Sequence, residues 1–131
     1  MTSPTRGRAR ICFASPYVPG LNDLAIAYLA DEGITTVSRA DVSGTLDNVG
    51  QGAVTPDAVF DLGKRADSPQ AQAVLLSCTD MRSVEVIEWL EQALGKPVVT
   101  PNQALMFQAF QFLKISPTVT SLGQLFERLP R

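Results

Sequence analysis

The chain is expected to fold as a single α/β domain around four parallel strands, and three features of the sequence predict this. Short apolar or β-branched runs alternate with stretches of helical periodicity, the pattern of a parallel sheet covered on both faces. A length of 131 residues suits one core, and 45% hydrophobic with 18% charged residues is ordinary globular composition. Proline and glycine fall between the runs, at Pro16, Gly33, Pro56, Gly95 and Pro97, where an element must stop or start.

Residues 1–9 are polar and arginine-rich and read as a flexible lead-in, with the domain occupying 10–131. The first strand is RICFAS, residues 10–15, an apolar run halted by Ser15-Pro16. Leu21, Leu24, Ala25, Tyr28 and Leu29 then recur at helical spacing and give an amphipathic helix closed by Gly33. ITTVS, residues 34–38, is the second strand, and Gly44, Asp47, Asn48, Gly50 and Gly52 make an irregular polar loop after it. Thr55-Pro56 caps a helix whose inner face is Ala58, Val59, Leu62 and Ala66. AQAVLL, residues 71–76, is the third strand, 84–94 the next helix, and PVVT, residues 97–100, a short fourth strand. Helices over 102–113 and 122–129 complete the chain. Right-handed crossovers give a flavodoxin-like three-layer sandwich with strand order 2-1-3-4. In such sheets ligands bind beyond the strand carboxyl ends where the winding reverses, here beside Ser15-Pro16-Tyr17 and Ser77-Cys78-Thr79.

Composition narrows the chemistry. A net charge of -2 gives no field that attracts nucleic acid or an anionic membrane, so neither is an expected partner. The apolar stretch behind Arg6, Arg8 and Arg10 is too short for a signal or a membrane span, and two cysteines without an export signal read as reduced thiols, so a cytoplasmic protein is expected. Histidine is absent, which excludes a Ser-His-Asp triad, a Cys-His dyad and histidine metal sites. No metal and no cofactor are expected, and no nucleotide glycine fingerprint is present.

Cys78 closes an apolar strand just before a helix expected to begin near residues 80–83, whose N-terminus would favour a partly exposed thiolate, with Arg82 adding positive charge. The alternative is a small buried filler. Cys12, inside the first strand, reads as core. Ser77 and Thr79 flank the thiol, and the Thr79 and Asp80 N–H groups could form a nest for a carboxylate, or these residues could serve as helix caps. Ser15 and Tyr17 end the first strand; the Tyr17 hydroxyl could reach a ligand, or its ring could pack on the neighbouring helix. Asn48 and Asn102 could donate to a carboxylate, or act only as turn and cap residues. The stripe Leu105, Phe107, Phe110 and Phe112 reads as core or interface.

Residues 75–103, LLSCTDMRSVEVIEWLEQALGKPVVTPNQ, continue as ALMFQAF. They resemble the second half of maleate cis-trans isomerases and arylmalonate decarboxylases, in the aspartate/glutamate racemase superfamily, where a Ser-Cys-Thr turn, Gly-Lys-Pro-Val and Asn-Gln-Ala recur in that order. Ser15-Pro16-Tyr17-Val18 with Asn22, and Leu46-Asp47-Asn48, resemble two further loops of that half. The likeness spans roughly residues 10–128. It implies one half of a two-half racemase-like fold, with Cys78 on the second of two active-site cysteines, Tyr17 on an active-site tyrosine and Asn48 on a substrate-binding asparagine. Ser77 and Thr79 would adjoin a substrate carboxylate. The implied activity is cofactor-independent isomerase or racemase-type chemistry on a small carboxylic acid through a cysteine thiolate. Arylmalonate decarboxylase-like lyase activity, or a non-catalytic half that binds a carboxylate or partner, are the alternatives. Members of this family are about twice as long, and nothing in the present sequence resembles their first half. Phe107 stands where tryptophan is usual. Pairing as a homodimer, or with a separate first half, is therefore expected.

Overall fold

The computed structural model describes residues 9–42, 46–117 and 121–129. Residues 1–8, Gly44 and the end of the chain lie outside this range. Strands β1 (Ala9–Ser15), β2 (Ile34–Asp41), β3 (Ala73–Leu76) and β4 (Val98–Val99) form one parallel sheet in the expected order β2-β1-β3-β4. β1 is central and pairs on both sides, Ile11 to Ala73 and Ala14 to Leu76 on one, Ala9 to Ile34 and Ser15 to Asp41 on the other. A register shift between Ile11 and Cys12 accommodates one extra β2 residue, and β2 runs three residues beyond the expected Ser38 because it pairs with β1 as far as Ser15. β4 stays short, for the Val98 N–H turns to the Glu91 carboxylate at 3.0 Å.

The helices are α1 (Pro19–Asp31), α2 (Asn48–Gly52), α3 (Pro56–Ala66), α4 (Ile87–Leu94), α5 (Pro101–Leu113) and α6 (Gly123–Phe126), with a 3-10 turn over Val84–Val86 leading into α4. Successive side chains of a strand point to opposite faces. Cys12, Ala14, Val74, Leu76 and Val98 face α3 and α4, and with Val59, Leu62, Ala66, Val86, Ile87 and Leu90 they make the core. Gly63 permits this close approach, because a Cβ there would lie 2.8 Å from a Leu90 methyl carbon. Thr55 caps α3 through the Ala58 N–H, and Gly95, at φ 69°, ends α4 in the left-handed region that glycine tolerates. The Lys96–Asp67 ion pair at 2.7 Å, largely withdrawn from solvent, ties the start of β4 to the end of α3.

α1 departs from the sequence expectation. Its apolar stripe Leu21, Leu24 and Tyr28 faces outward, with Leu24 69% exposed, and its single buried residue is Asn22. α5 is likewise bare along Leu105, Met106 and Phe112, while Phe107 and Phe110 pack edge-on against Phe126 of α6. The Asn-Gln-Ala motif is partly structural: Gln103 closes a capping box with Thr100 and donates to the Leu122 carbonyl at 2.6 Å, stitching α5 to the start of α6. Glu91 ties α4 to α6 by accepting from the Gln124 N–H at 3.0 Å.

Candidate active site at the carboxyl ends of β1 and β3

Parallel pairing of Ala14 with Leu76 brings the ends of β1 and β3 side by side, and the Ser77 N–H extends the ladder to the Ala14 carbonyl at 2.8 Å. Ser15 and Ser77 are thereby neighbours although they lie far apart in sequence. The Ser15 hydroxyl is fully buried; it donates to the Asn22 amide oxygen and accepts from the Tyr17 N–H at 3.1 Å. Asn22 in turn donates to the Tyr17 carbonyl at 3.3 Å. This explains the polar residue inside α1, which fixes the turn carrying Tyr17. Ser15 holds that turn and does not face the open side of the site.

The Tyr17 hydroxyl meets the Ser77 side chain and the Cys78 thiol. Burial pushes its phenol above the ordinary tyrosine range, the Ser77 hydrogen bond opposes this, and Cys78 and Asp80 reinforce it. The site therefore holds a neutral phenol against the sulfur at physiological pH.

Cys78 corrects two expectations. It is 3% exposed, and no helix begins at residues 80–83. Met81 turns into the core instead, with the Ser83 N–H bonded to the Met81 carbonyl at 2.7 Å, so the chain bends over the thiol before α4 starts at Ile87. A helix dipole thus does not act on the sulfur at close range. Cys78 also adopts φ 107°, a backbone region that side chains other than glycine rarely occupy and that costs about 1–3 kcal/mol. Such strain is a mark of functional sites when the surroundings enforce it.

The surroundings do so from two sides. Asn102, at the start of α5, donates through Nδ2 to the Thr79 carbonyl at 3.0 Å and so anchors the loop; Thr79 itself is exposed at the rim. On the other side stands Gln51, a residue the sequence reading passed over, whose Oε1 accepts from the Cys78 S–H at 3.3 Å. It belongs to α2, a helix concealed by the glycine-rich stretch that reads as an irregular loop. Asp47 caps α2 by accepting from the Gly50 N–H at 2.7 Å, and that Asp-x-x-Gly spacing was the available signal. Asn48 lies on α2 one turn before Gln51, exposed at the rim. Tyr17 thus meets Ser77 and Cys78, Cys78 meets Gln51, Asn102 and Thr79 form one edge, and Asn48 stands outside the hydrogen-bonded cluster. Cys12 is fully buried in the core, where burial first and then the Asp67 carboxylate push its thiol above the ordinary value of 9.0.

The arylmalonate decarboxylase family matches the chain over residues 3–126. The chain belongs to that family. A maleate isomerase of Geobacillus stearothermophilus is 27% identical over 92% of the chain and 48% of the isomerase. The arylmalonate decarboxylase of Bordetella bronchiseptica is 28% identical over 79% of the chain and 43% of the enzyme. Among solved structures, the Nocardia farcinica maleate cis-trans isomerase bound to TRIS superposes with a TM-score of 0.82 at 25% identity, covering 90% of the chain and 48% of that protein. The chain spans about half the length of the relatives it matches. Both the racemase-like family and the four-stranded parallel fold read from the sequence are thereby established.

Proposed function

We propose that this chain carries a cysteine-centred site for isomerase or racemase-type chemistry on a small carboxylic acid, with Cys78 as the reacting thiol. The observation that carries the reading is the convergence of Tyr17, itself bonded to Ser77, and Gln51 on a strained, buried Cys78 in a member of a family whose relatives include maleate isomerases. On a maleate-like dicarboxylate, the Cys78 thiol first releases its proton from Gln51 to water, the thiolate sulfur adds to one alkene carbon and the π pair moves into the adjacent carboxylate. The new single bond rotates, the pair returns, and the carbon–sulfur bond breaks to release the trans acid and the thiolate. The Tyr17 hydroxyl, with the Thr79 N–H, would donate to the enediolate. Cytoplasmic residence belongs to the same reading, since both cysteines are free thiols.

One observation favours a second reading. The thiol proton is committed to Gln51, which suits Cys78 to give a proton rather than to add as a nucleophile. In a decarboxylation of that kind the bond to the departing carboxylate breaks, carbon dioxide leaves, the remaining pair is held as an enediolate, and the Cys78 S–H protonates the carbon. Water then returns a proton to the sulfur.

The same proposal includes a further polypeptide that completes the site, either a second copy of the chain or a separate half, and the bare helices support it. α1 is apolar around most of its circumference and α5 has no charged residue, and helices of that kind are normally covered. Maleate and aryl malonates, offered to the purified chain alone and after reconstitution with a companion half, test the whole reading. Conversion of at least one class is expected, with its loss in Cys78→Ala. Turnover that survives the substitution overturns thiol catalysis, and inactivity in every arm leaves a carboxylate-binding or partner-binding half-domain. Sedimentation tests the pairing, with association expected and weakened by Leu24→Glu and Leu105→Glu; a monomer at micromolar concentration overturns the homodimer.

A further inference from the structure

Gln51 is 9% exposed, and both ends of its amide are engaged. Nε2 donates to the Leu46 carbonyl at 3.3 Å, while Oε1 faces the Cys78 sulfur at 3.3 Å. The orientation of the amide follows from the chemistry of its partners. A backbone carbonyl only accepts, so the nitrogen must lie toward Leu46 and the oxygen toward sulfur. An amide oxygen also only accepts, so the sulfur must be the donor and must keep its proton. Turning the amide over to serve a thiolate would place Oε1 against the Leu46 carbonyl and sacrifice the existing bond. α2, capped by Asp47, holds the side chain in place for this.

We infer that Gln51 is a positioning residue that keeps Cys78 in its thiol form and aims the S–H, through the relay from the Leu46 carbonyl to the amide and on to sulfur. On the proton-donating reading this aim sets the S–H for transfer; on the thiolate-addition reading the same hydrogen bond must first be given up. The inference rests on the proposed function only for its bearing on turnover. The state of the sulfur is measurable whether or not the chain turns anything over. The other group that meets the sulfur, Tyr17, brings a neutral phenol, and the Asp80 carboxylate acts on that phenol.

Two substitutions of opposite chemistry test this, with alkylation of Cys78 by iodoacetamide at neutral pH followed by peptide mass and folding checked by circular dichroism. Gln51→Lys puts a donor against both the Leu46 carbonyl and the sulfur, and alkylation of Cys78 is expected to accelerate about tenfold, as a charge-assisted hydrogen bond to the thiolate of roughly 1.4 kcal/mol would give. Gln51→Glu keeps an acceptor and adds negative charge, so alkylation is expected to slow by a similar factor. A residue that merely packs would loosen the loop in both variants and shift both rates in one direction, and that result, or no shift in either, overturns the inference. The infrared S–H stretch of the unsubstituted protein, with the Cys12 band assigned from Cys78→Ala, gives a check that needs no Gln51 variant. A Cys78 band lowered by hydrogen bonding supports the relay, whereas a band at the free-thiol position overturns it. Opposite alkylation shifts without turnover on any substrate would leave Gln51 in its role and remove the enzyme reading alone.

Discussion

Helices α3 and α4 divide their residues between sheet and solvent, while α1 and α5 do not. α3 buries Val59, Leu62, Gly63 and Ala66 and turns Asp57, Asp61, Lys64 and Arg65 outward; α4 buries Ile87 and Leu90 and shows Glu88 and Gln92. α1 and α5 instead expose Leu21, Leu24, Tyr28, Leu105, Met106, Phe112 and Leu113. The difference lies in charge more than in apolar content. A helix whose outer face carries charged residues is finished as a surface, and one whose outer face is leucine and phenylalanine is built to be covered. Both unfinished helices begin at strand carboxyl ends, α1 behind Tyr17 and α5 beside Asn102, so the proposed partner would sit close to Cys78.

Substitutions test the difference between the two pairs of helices. Leu90→Ala removes a fully buried side chain from between α3 and α4 and is expected to cost about 2–5 kcal/mol in urea unfolding. A cost under 1 kcal/mol would mean that the α3/α4 side is no better packed than the other. Asn22→Leu adds apolar surface to α1 yet leaves the buried Ser15 hydroxyl without its acceptor, and a loss of about 1–3 kcal/mol is expected. If Asn22→Leu stabilises the chain, then α1 is held by apolar burial and the polar lock on the Tyr17 turn is not needed.

Alkali separates the two sides more gently. The folded state raises the affinity of Cys12 and Tyr17 for their protons, so their contribution to stability is fully present below the ordinary values of 9.0 and 10.0 and is lost as pH climbs through the higher folded values. Thermal unfolding should therefore fall above about pH 9, and Cys12→Ala and Tyr17→Phe should each flatten part of that fall; an unchanged slope in both would remove these groups as the cause. The smallest effect belongs to α5. Phe112, 87% exposed, should tolerate Phe112→Ser within about 0.5 kcal/mol in the unpartnered chain. A larger loss would show that α5 is already covered in solution.

The elements legible in the sequence are those where one local signal decides. RICFAS is apolar and stops at proline, Thr55-Pro56 marks the start of α3, and Gly95 ends α4. Periodicity alone misjudged α1. Its apolar residues occupy two adjacent stripes, and the sheet takes the one with Asn22, Ala25 and Leu29, where a polar residue meets a buried serine. The helix expected at residues 80–83 failed for a tertiary reason, because Met81 is drawn into the core and bends the chain. Cys78, Tyr17 and Ser77 were legible as a strand-end cluster. Gln51 was not, since its contact with the sulfur spans 27 residues and depends on a five-residue helix hidden among glycines.

The left-handed backbone at Cys78 bears on how inactive variants should be chosen. Folding alone would place glycine there, since a hydrogen in place of Cβ relieves the conflict at φ 107°. Cys78→Gly is thus expected to release strain and to be more stable than Cys78→Ala, although neither retains a sulfur. Glycine would also free the loop that Asn102 and Gln51 hold, so ligand affinities measured on it would mix lost chemistry with added entropy. Alanine keeps the constraint and is the cleaner control. A library selected for thermal tolerance alone should accumulate glycine at position 78, and one selected for the proposed thiol chemistry should not contain it.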